Sequence, residues 1–423
     1  MDHRFSPVNP MRWNWMEGMQ MRVILLGAGA SKSYDQSPTG QRMPIARDFF
    51  DIFDKLDLST NLWVLIGSII VFLEDDLGMG SGSAFDYLRS GIDIEDLHSQ
   101  IEAARDTQLK SNGLVAAMTP YKAFNELLFL FAAVINDIQN GPPSQAHMKL
   151  VDGLNSDDVL ITFNWDTLLD RALAERTTWR PDWGYGVTPN AMFNDGWHPP
   201  VTTNKDSKTG NLLLKLHGST NWLTAYSVTD GHGTIVSGQD LDPSAFGIFE
   251  RASGPYACFK GRYMPGYQPW AYGYYPPNLN FPGRAPPDGY TIVGVTPNFP
   301  WTKPGRAPDA GLPSMPLIIP PVKNKSYEFF GDLFKTLWSR AEDALAAADE
   351  IVIIGYSFPK TDIQSDKLFH RAFSRRATIP KITIVDPNPA PVADRMTRDL
   401  GIPDSHLKVI AEYFTANFNL DAL

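Results

Sequence analysis

The sequence has almost no cysteine: Cys258 is the only one among 423 residues. A single thiol excludes an internal disulfide and a zinc site built from several cysteines, and it is typical of a reducing cytoplasm. The chain also lacks an excess of positive charge, since its formal net charge is -10 at pH 7. We therefore expect no general affinity for the nucleic-acid backbone.

Long apolar runs are missing as well. The longest, Leu62–Leu73, is interrupted by Gly67 and Ser68. It is shorter than the ~20 residues that cross a bilayer, so it predicts a buried helix and no membrane span. Residues 1–19 lack the apolar segment of a secretory signal. Together with the single cysteine, these absences predict a cytoplasmic protein.

Near the start of the chain, an apolar run changes to small residues in the stretch Arg22–Ser31, RVILLGAGAS. This pattern predicts a strand that leads into a tight turn at the start of a helix. Gly27 and Gly29 have no Cβ, so the backbone can approach a ligand, and the N–H groups of residues 30–32 would face a diphosphate. Any doubly wound domain needs such a turn, however, so the residues alone leave a structural turn and a nucleotide site equally open.

Polar residues directly follow two predicted strands in the middle of the chain. The strand Val159–Phe163 ends in Asn164 and Asp166, and the strand Leu212–Leu216 ends in His217. In an open α/β sheet the ligand lies beyond the carboxyl ends of the strands, so we expect both ends to face one crevice. A lone histidine is more often packed in a core, but the position of His217 after a buried strand favours the site.

A βαβ unit is predicted near the end of the chain. Its strands, Ile351–Ile354 and Ile382–Val385, end in the sequences GYS and DPN, respectively. Polar groups at strand ends suit ribose or phosphate, so Ser357, Asp386 and Asn388 are candidates for the adenosine end of a dinucleotide. An aspartate ahead of a proline is equally typical of a turn, and for Asp386 both interpretations stay open.

Two segments interrupt this alternation of strands and helices. Apolar spacing predicts a helix over Pro44–Leu56 and further helices over Leu62–Ile138. Tyr226–Pro316 is rich in Pro, Gly and aromatic residues, which predicts an irregular or small-stranded insertion over the sheet edge. Acidic residues within 93–96 predict a helix start, with a catalytic carboxylate pair as the alternative. Two histidines are predicted to lie at the surface: His98 and His147.

In this order, the motifs resemble those of the sirtuin (Sir2) family. The matching stretches span most of the chain: GAGAS at 27–31, TFNWD at 162–166, KLHGS at 215–219, GYS at 355–357 and DPN at 386–388. The forms FNWDTLL and LHGSTNW are more similar to the bacterial SIR2-like branch found in antiphage defence systems than to protein deacetylases.

The resemblance implies a domain that binds NAD as its substrate and uses no metal. It implies Asn164 and His217 as the catalytic pair, with His217 as a general base and Asn164 positioning the water. It also implies that Asp166 holds the nicotinamide carboxamide. The NAD-binding residues that it implies are Gly27, Ala28, Gly29, Ala30, Ser31, Asp166, Gly355, Tyr356, Ser357, Asp386 and Asn388.

The predicted fold class is α/β, with a Rossmann-like, doubly wound and mostly parallel sheet. An N-terminal extension (1–20) precedes one SIR2-like NAD-binding domain (21–423). That domain carries a helical insertion at about 57–150 and the Pro/aromatic-rich insertion at about 225–316.

Two departures from the deacetylase pattern change the expected reaction. Phe163 stands where sirtuins usually have glutamine, and one cysteine cannot build their four-cysteine zinc module. Water in place of acyl-lysine turns the same chemistry into hydrolysis of NAD to nicotinamide and ADP-ribose, which is the leading hypothesis. A zinc-independent deacylase or ADP-ribosyltransferase, and a non-catalytic NAD- or ADP-ribose-sensing scaffold subunit, stay open as alternatives.

The resemblance further implies a role in abortive infection, in which the enzyme depletes NAD after phage is sensed. Such an enzyme must be gated. The regulators that the resemblance implies are a HerA-like ATPase, a short Argonaute, or the homo-oligomer of the chain itself.

Overall fold

The computed structural model describes most of the chain between residues 21 and 420. The described ranges are 21–56, 62–80, 82–193, 197–201, 210–225, 228–229, 235–237, 244–249, 263–265, 290–292, 314–319, 332–359 and 362–420.

The strands are β1 (Arg22–Leu26), β2 (Val159–Thr162), β3 (Ala191–Phe193), β4 (Trp197–His198), β5 (Leu212–Lys215), β6 (Gly218–Ala225), β7 (Val228–Thr229), β8 (Ile235–Ser237), β9 (Gly247–Phe249), β10 (Tyr263–Pro265), β11 (Tyr290–Ile292), β12 (Ser314–Ile318), β13 (Glu350–Ile354), β14 (Lys381–Val385) and β15 (Leu407–Ile410). The helices are α1 (Ala28–Ser31), α2 (Phe49–Phe53), α3 (Leu62–Val71), α4 (Ser83–Arg89), α5 (Ile94–Ala116), α6 (Met118–Gln139), α7 (Gln145–Asp152), α8 (Leu168–Arg176), α9 (Pro181–Gly184), α10 (Asp332–Ala347), α11 (Ile363–Ser374) and α12 (Ala390–Arg398).

The central sheet has six parallel strands in the order β15-β14-β13-β1-β2-β5. Numbered along the chain, this is the doubly wound order 3-2-1-4-5-6 read from β5. The order reverses between β1 and β13, so the topological switch point lies there. Ligands of open α/β sheets bind beyond the carboxyl ends of the strands at this point. The predicted Rossmann-like fold class is confirmed.

The strands are long apolar runs because both faces of the sheet are covered. β1 and β13 are buried from their second residue to their last, as expected for a parallel sheet flanked by helices. Apolar spacing also predicts an amphipathic helix over Tyr327–Ala348. In the structure this helix is α10, which buries Phe334, Leu337 and Ala341 on one stripe. The segment 327–331, also assigned to this helix, lies outside the described residues.

A helical layer follows the first strand, as predicted for Leu62–Ile138. The helices α3 to α6 share a second hydrophobic core, and α5 begins where Asp93 accepts a hydrogen bond from the N–H of Glu95 at 2.9 Å. The acidic cluster is therefore a helix start, as predicted. The helix predicted over Pro44–Leu56 is shorter and covers only Phe49–Phe53. Asp48 Oδ1 binds the N–H of Ile45 at 2.6 Å, which forms a turn in place of the expected first helical turn.

A second sheet lies beside the first, with five strands in the order β12-β6-β9-β3-β4. The strand β6 begins one residue after His217, and its partner β12 runs antiparallel to it. The small strands β7 to β11 fall within the Pro/aromatic-rich segment, in line with a small-stranded insertion. Apart from residues 244–246 and 314–316, its remaining residues, including Cys258, lie outside the described ranges. No helix in the described ranges is long and apolar enough to cross a membrane.

The prediction that His98 and His147 lie at the surface is wrong. Their side chains are buried, with 0% and 1% exposure, respectively. The rings of His98 and Phe124 lie 4.5 Å apart, and His147 Nδ1 lies 2.8 Å from Ser144 Oγ. Each histidine occupies a core position of its helix, and a pattern based on apolar residues does not register a polar residue there.

The buried His98 predicts a pH dependence of stability. Neither ring nitrogen has a hydrogen-bond partner among the described residues, and burial lowers the pKa of His98 from 6.5 to about 3. The unfolded chain takes up this proton first, so the free energy of unfolding falls as the pH drops from 6.5 towards the folded-state pKa. At about pH 4.5 we expect a loss of about 2–3 kcal/mol from this group, and we expect His98→Leu to remove it.

Urea unfolding of the wild type and His98→Leu at about pH 7.5 and pH 4.5 checks this expectation. The burial of His147 also lowers its pKa, to about 4, but that contribution is common to both proteins. His370→Gln is the matched control because His370 is exposed. An equal loss of stability in the wild type and His98→Leu would contradict the assignment.

Candidate functional site

The turn after β1 packs directly on the turn after β13. The N–H of Gly27 donates to Ile354 O at 3.0 Å, and the N–H of Gly29 donates to Gly355 O at 2.9 Å. A Cβ on Gly27 would lie 2.5 Å from the Cα of Tyr356, so only glycine fits there. Gly355 has a φ of +60°, which also favours glycine. The two glycine turns therefore meet at the switch point of the sheet.

The helix after Gly27 is a single turn, and part of the expected anion cradle is used internally. The N–H of Ala30 donates to Gly27 O, and the N–H of Lys32 donates to Ala28 O, each at 3.0 Å. Both N–H groups are thus engaged within the turn and do not face a diphosphate, contrary to the expectation from the sequence. Ala28 and Gly29 are exposed at the edge of the turn, and they are the predicted NAD-binding residues that remain accessible there.

Hydrogen bonds join the first turn to the end of β2. Asn164 Nδ2 donates to Gly27 O and to Ser31 Oγ, both at 2.7 Å. Ser31 Oγ in turn donates to Asp166 Oδ2 at 2.5 Å, and Asp166 Oδ1 accepts the N–H of Leu168 at 3.0 Å, at the start of α8. Four of the predicted site residues, from two strands, thus form one network with fixed side-chain orientations.

A buried ion pair between Lys215 and Asp170 is linked to this network. Lys215 Nζ lies 3.1 Å from Asp170 Oδ2 and donates a hydrogen bond to the main-chain carbonyl of Asp166. The hydroxyl of Tyr185 donates to Asp170 Oδ1. Burial raises the pKa of Asp170, and the nearby Lys215 ammonium opposes this rise. Lys215 is 1% exposed. Through its hydrogen bond to Asp166 O, the buried ammonium anchors the loop that carries Asn164 and Asp166.

His217 lies at the end of the neighbouring strand β5, in an aromatic pocket. Its ring centroid is 5.1 Å from that of Phe163 and 6.2 Å from that of Trp338. The N–H of Ile319 donates to its main-chain oxygen at 2.8 Å, which links it to the second sheet. Its Nε2 lies 3.5 Å from Asp362 Oδ2. The imidazole is therefore placed by packing on one side and by a carboxylate on the other.

Tyr356 belongs to the walls of this pocket. It is 5% exposed, its ring stacks on Phe163 at 4.4 Å, and its hydroxyl donates to Asp362 Oδ2 at 3.2 Å. Burial, reinforced by the negative charge of Asp362, raises the pKa of Tyr356 well above 10.0. The hydroxyl therefore stays protonated near neutral pH and remains a donor.

The remaining predicted residues lie along the same edge of the sheet. The N–H of Gly355 donates to Val385 O at 3.0 Å, so the turns after β13 and β14 are adjacent. Asp386 Oδ1 accepts the N–H of Asn388 at 2.8 Å, which is the local turn bond of one of its two interpretations. Ser357 and Asn388 are exposed, as an adenosine-binding role would require.

The sequence analysis missed two residues of this site, Asp362 and Lys215. The sequence predicts a helix over Asp362–Phe373 but indicated no role for Asp362 at the site, and Lys215 appeared only within the KLHGS motif. A local signal for Asp362 does exist: it follows the GYS turn at the same sheet edge and precedes α11 as an N-cap, accepting from Ser365 N at 3.4 Å. Lys215 is the last residue of the apolar strand β5, and nothing in that local sequence indicates that it pairs with the buried Asp170.

The arrangement offers polar groups for a charged, ribose-containing ligand and one base for proton transfer. Within the described ranges, no group of three or more His, Cys, Asp or Glu residues is placed to hold a metal ion. The site residues are hydrogen-bond donors and acceptors beside the packed rings of Phe163, Trp338 and Tyr356.

Comparison with known proteins gave matches only among solved structures. No family model and no curated protein matches the chain. A Sir2 homologue in complex with NAD shares 12% identity over 93% of this chain and 84% of that chain, with a TM-score of 0.34. A mutant Sir2 homologue in complex with ADP-ribose shares 13% identity over 93% and 87%, with a TM-score of 0.31.

Proposed function

We propose that this protein hydrolyses NAD to nicotinamide and ADP-ribose at the carboxyl edge of the six-stranded sheet. The observation that carries the proposal is the network that joins the Gly27 turn, Ser31, Asn164 and Asp166, with His217 at the adjacent strand end. It lies beside the topological switch point, where open α/β sheets bind nucleotides. The resemblance of the motifs to those of sirtuins supports the same substrate.

The proposed reaction breaks the bond between the nicotinamide nitrogen and C1′ of the ribose. The bonding electrons leave with nicotinamide, and positive charge develops on the ribose. A water oxygen forms the new bond to C1′, and its proton passes to His217 as general base. Asn164, whose side chain is held by Gly27 O and Ser31 Oγ, orients the ribose and the water.

Burial around the proposed base supports this chemistry. His217 is 5% exposed and packs against aromatic rings, so bulk water has little access to it. In such an environment, fixed dipoles and the Asp166 carboxylate act more strongly on developing charge than they would in water. Asp166, bound by Ser31, is the proposed partner of the nicotinamide carboxamide.

Release of nicotinamide from NAD by the purified protein tests the proposal. We expect His217→Ala to lower kcat by about 100- to 10,000-fold, the range that general-base catalysis contributes. Asn164→Ala is expected to lose turnover as well, because the water and ribose lose their orientation. His370→Gln, which changes an exposed histidine, is the matched control and should keep the wild-type rate.

Full activity in His217→Ala would contradict the assignment of the base. A rate that rises with an acyl-peptide or a protein acceptor, with matching acyl or ADP-ribosyl transfer, would replace hydrolysis with the transferase alternative. NAD binding by calorimetry without turnover, in the presence of candidate regulators, would favour the sensing alternative.

We further propose that the enzyme is an effector that depletes NAD in antiphage defence. The similarity of its motifs to those of the bacterial SIR2-like branch supports this role. A HerA-like ATPase, a short Argonaute or self-assembly of the chain are the proposed regulators. Infection of cells carrying the wild type or His217→Ala, with cellular NAD as readout, tests the role, and unchanged NAD after infection would contradict it.

A further inference from the structure

Asp362 is a buried carboxylate that faces the proposed base. Its side chain is 2% exposed, and its Oδ2 lies 3.5 Å from His217 Nε2 and 3.2 Å from the hydroxyl of Tyr356. Its Oδ1 accepts the N–H of Ser365 at 3.4 Å. A buried carboxylate is costly unless hydrogen bonds or a positive charge compensate it.

We propose that Asp362 is the positioning residue of His217: it holds the imidazole through Nε2 and stabilises the imidazolium that forms when the ring takes a proton. The inference rests on the proposed function for its catalytic consequence. In the neutral ring, a proton on Nε2 faces Asp362, which leaves the basic lone pair on Nδ1. The distance of 3.5 Å exceeds that of an ordinary N–H···O hydrogen bond, and catalytic hydrogen bonds commonly shorten when substrate binds.

The contacts around Asp362 define its charge environment. Phe163 and Trp338 pack on the ring of His217 and carry no charge. Tyr356 contributes a protonated hydroxyl. Asp366, on the same helix α11, is the next carboxylate, and it is paired with Arg395 of α12. Asp362 is a carboxylate in contact with His217, and its removal should change the proton affinity of that ring.

Asp362→Asn is a sharp test because it removes the charge and keeps the shape. Asparagine caps helices as well as aspartate does, so the hydrogen bond from Ser365 N and the fold should survive. Through the loss of an opposite charge, we expect the acidic limb of kcat/KM for nicotinamide release to move down by about 1 pH unit. We expect kcat to fall by roughly 10- to 100-fold, with KM changed less than kcat.

Two matched variants separate this effect from others. Asp366→Asn removes a neighbouring carboxylate that does not touch His217, and it should leave the acidic limb in place. Tyr356→Phe removes the hydroxyl on Asp362 while keeping the ring that stacks on Phe163, and its loss of kcat should be smaller than that of Asp362→Asn.

A second readout does not depend on turnover. In NMR titrations of histidine-labelled protein, with His217→Ala used for assignment, the pKa of His217 should fall by about 1 unit in Asp362→Asn. An unchanged pKa of His217 and an unchanged acidic limb in Asp362→Asn would overturn the inference. If the pKa shifts but His217→Ala keeps full activity, the proposed base fails while the contact between the two residues stands.

Discussion

Replacement of Lys215 with methionine is expected to lower the free energy of unfolding by about 3–5 kcal/mol. Methionine fills a similar volume, but Asp170 loses the ammonium that lies 3.1 Å away and remains buried with the Tyr185 hydroxyl. The main-chain oxygen of Asp166 also loses its donor. Because that loop carries Asn164, we expect the proposed NAD hydrolysis to fall together with stability.

The destabilisation should depend on pH with a definite sign. Burial already raises the pKa of Asp170, and loss of the ammonium raises it further. A folded-state pKa above the unfolded value gives stability at low pH that is lost as the pH rises through the folded-state pKa. The deficit of Lys215→Met relative to the wild type should therefore be larger at about pH 8 than at about pH 5.

Denaturant unfolding at these two pH values measures the deficit. The double variant Lys215→Met, Asp170→Asn is the control because it removes the unpaired charge along with its partner. We expect it to recover part of the lost stability and to show no pH-dependent deficit from Asp170. A Lys215→Met deficit of the same size at both pH values would contradict an uncompensated carboxylate as its cause.

The sequence predicted five of the six strands of the central sheet and the edge at which the proposed site lies, because parallel strands buried on both faces need long apolar runs. It did not predict the edge strand β15, whose residues are partly buried or exposed. Polar residues that follow such runs, such as Asn164 and His217, stand out against them. Helices alternate with strands before and after the insertions, and this alternation predicted the doubly wound sheet that the strand order shows. These features depend on local sequence, so the sequence alone predicts them.

The details that the sequence did not predict depend on contacts between distant segments. Asp362 lies against His217 although the two are 145 positions apart in the sequence. The internal use of the Ala30 N–H follows from the one-turn length of α1, and a glycine motif does not encode that length. His98 was misassigned for a similar reason, since its burial is set by the packing of α5 against α6.

Gly355→Ala is expected to lower the free energy of unfolding by about 2–5 kcal/mol and to abolish the proposed NAD hydrolysis. Two costs add: alanine would adopt a φ of +60°, and its Cβ would lie 2.4 Å from the N of Ala30. Relief of that overlap must move the Gly27 turn, whose carbonyl holds Asn164.

Gly401→Ala separates the two costs, because its φ of +68° is similar and no atom lies within 4 Å of the added Cβ. Thermal and denaturant unfolding should give a loss of about 1–2 kcal/mol for Gly401→Ala and a clearly larger one for Gly355→Ala. Equal losses of stability in the two variants would mean that the turns after β1 and β13 can move apart at little cost. The close approach of these turns would then not hold the proposed site together.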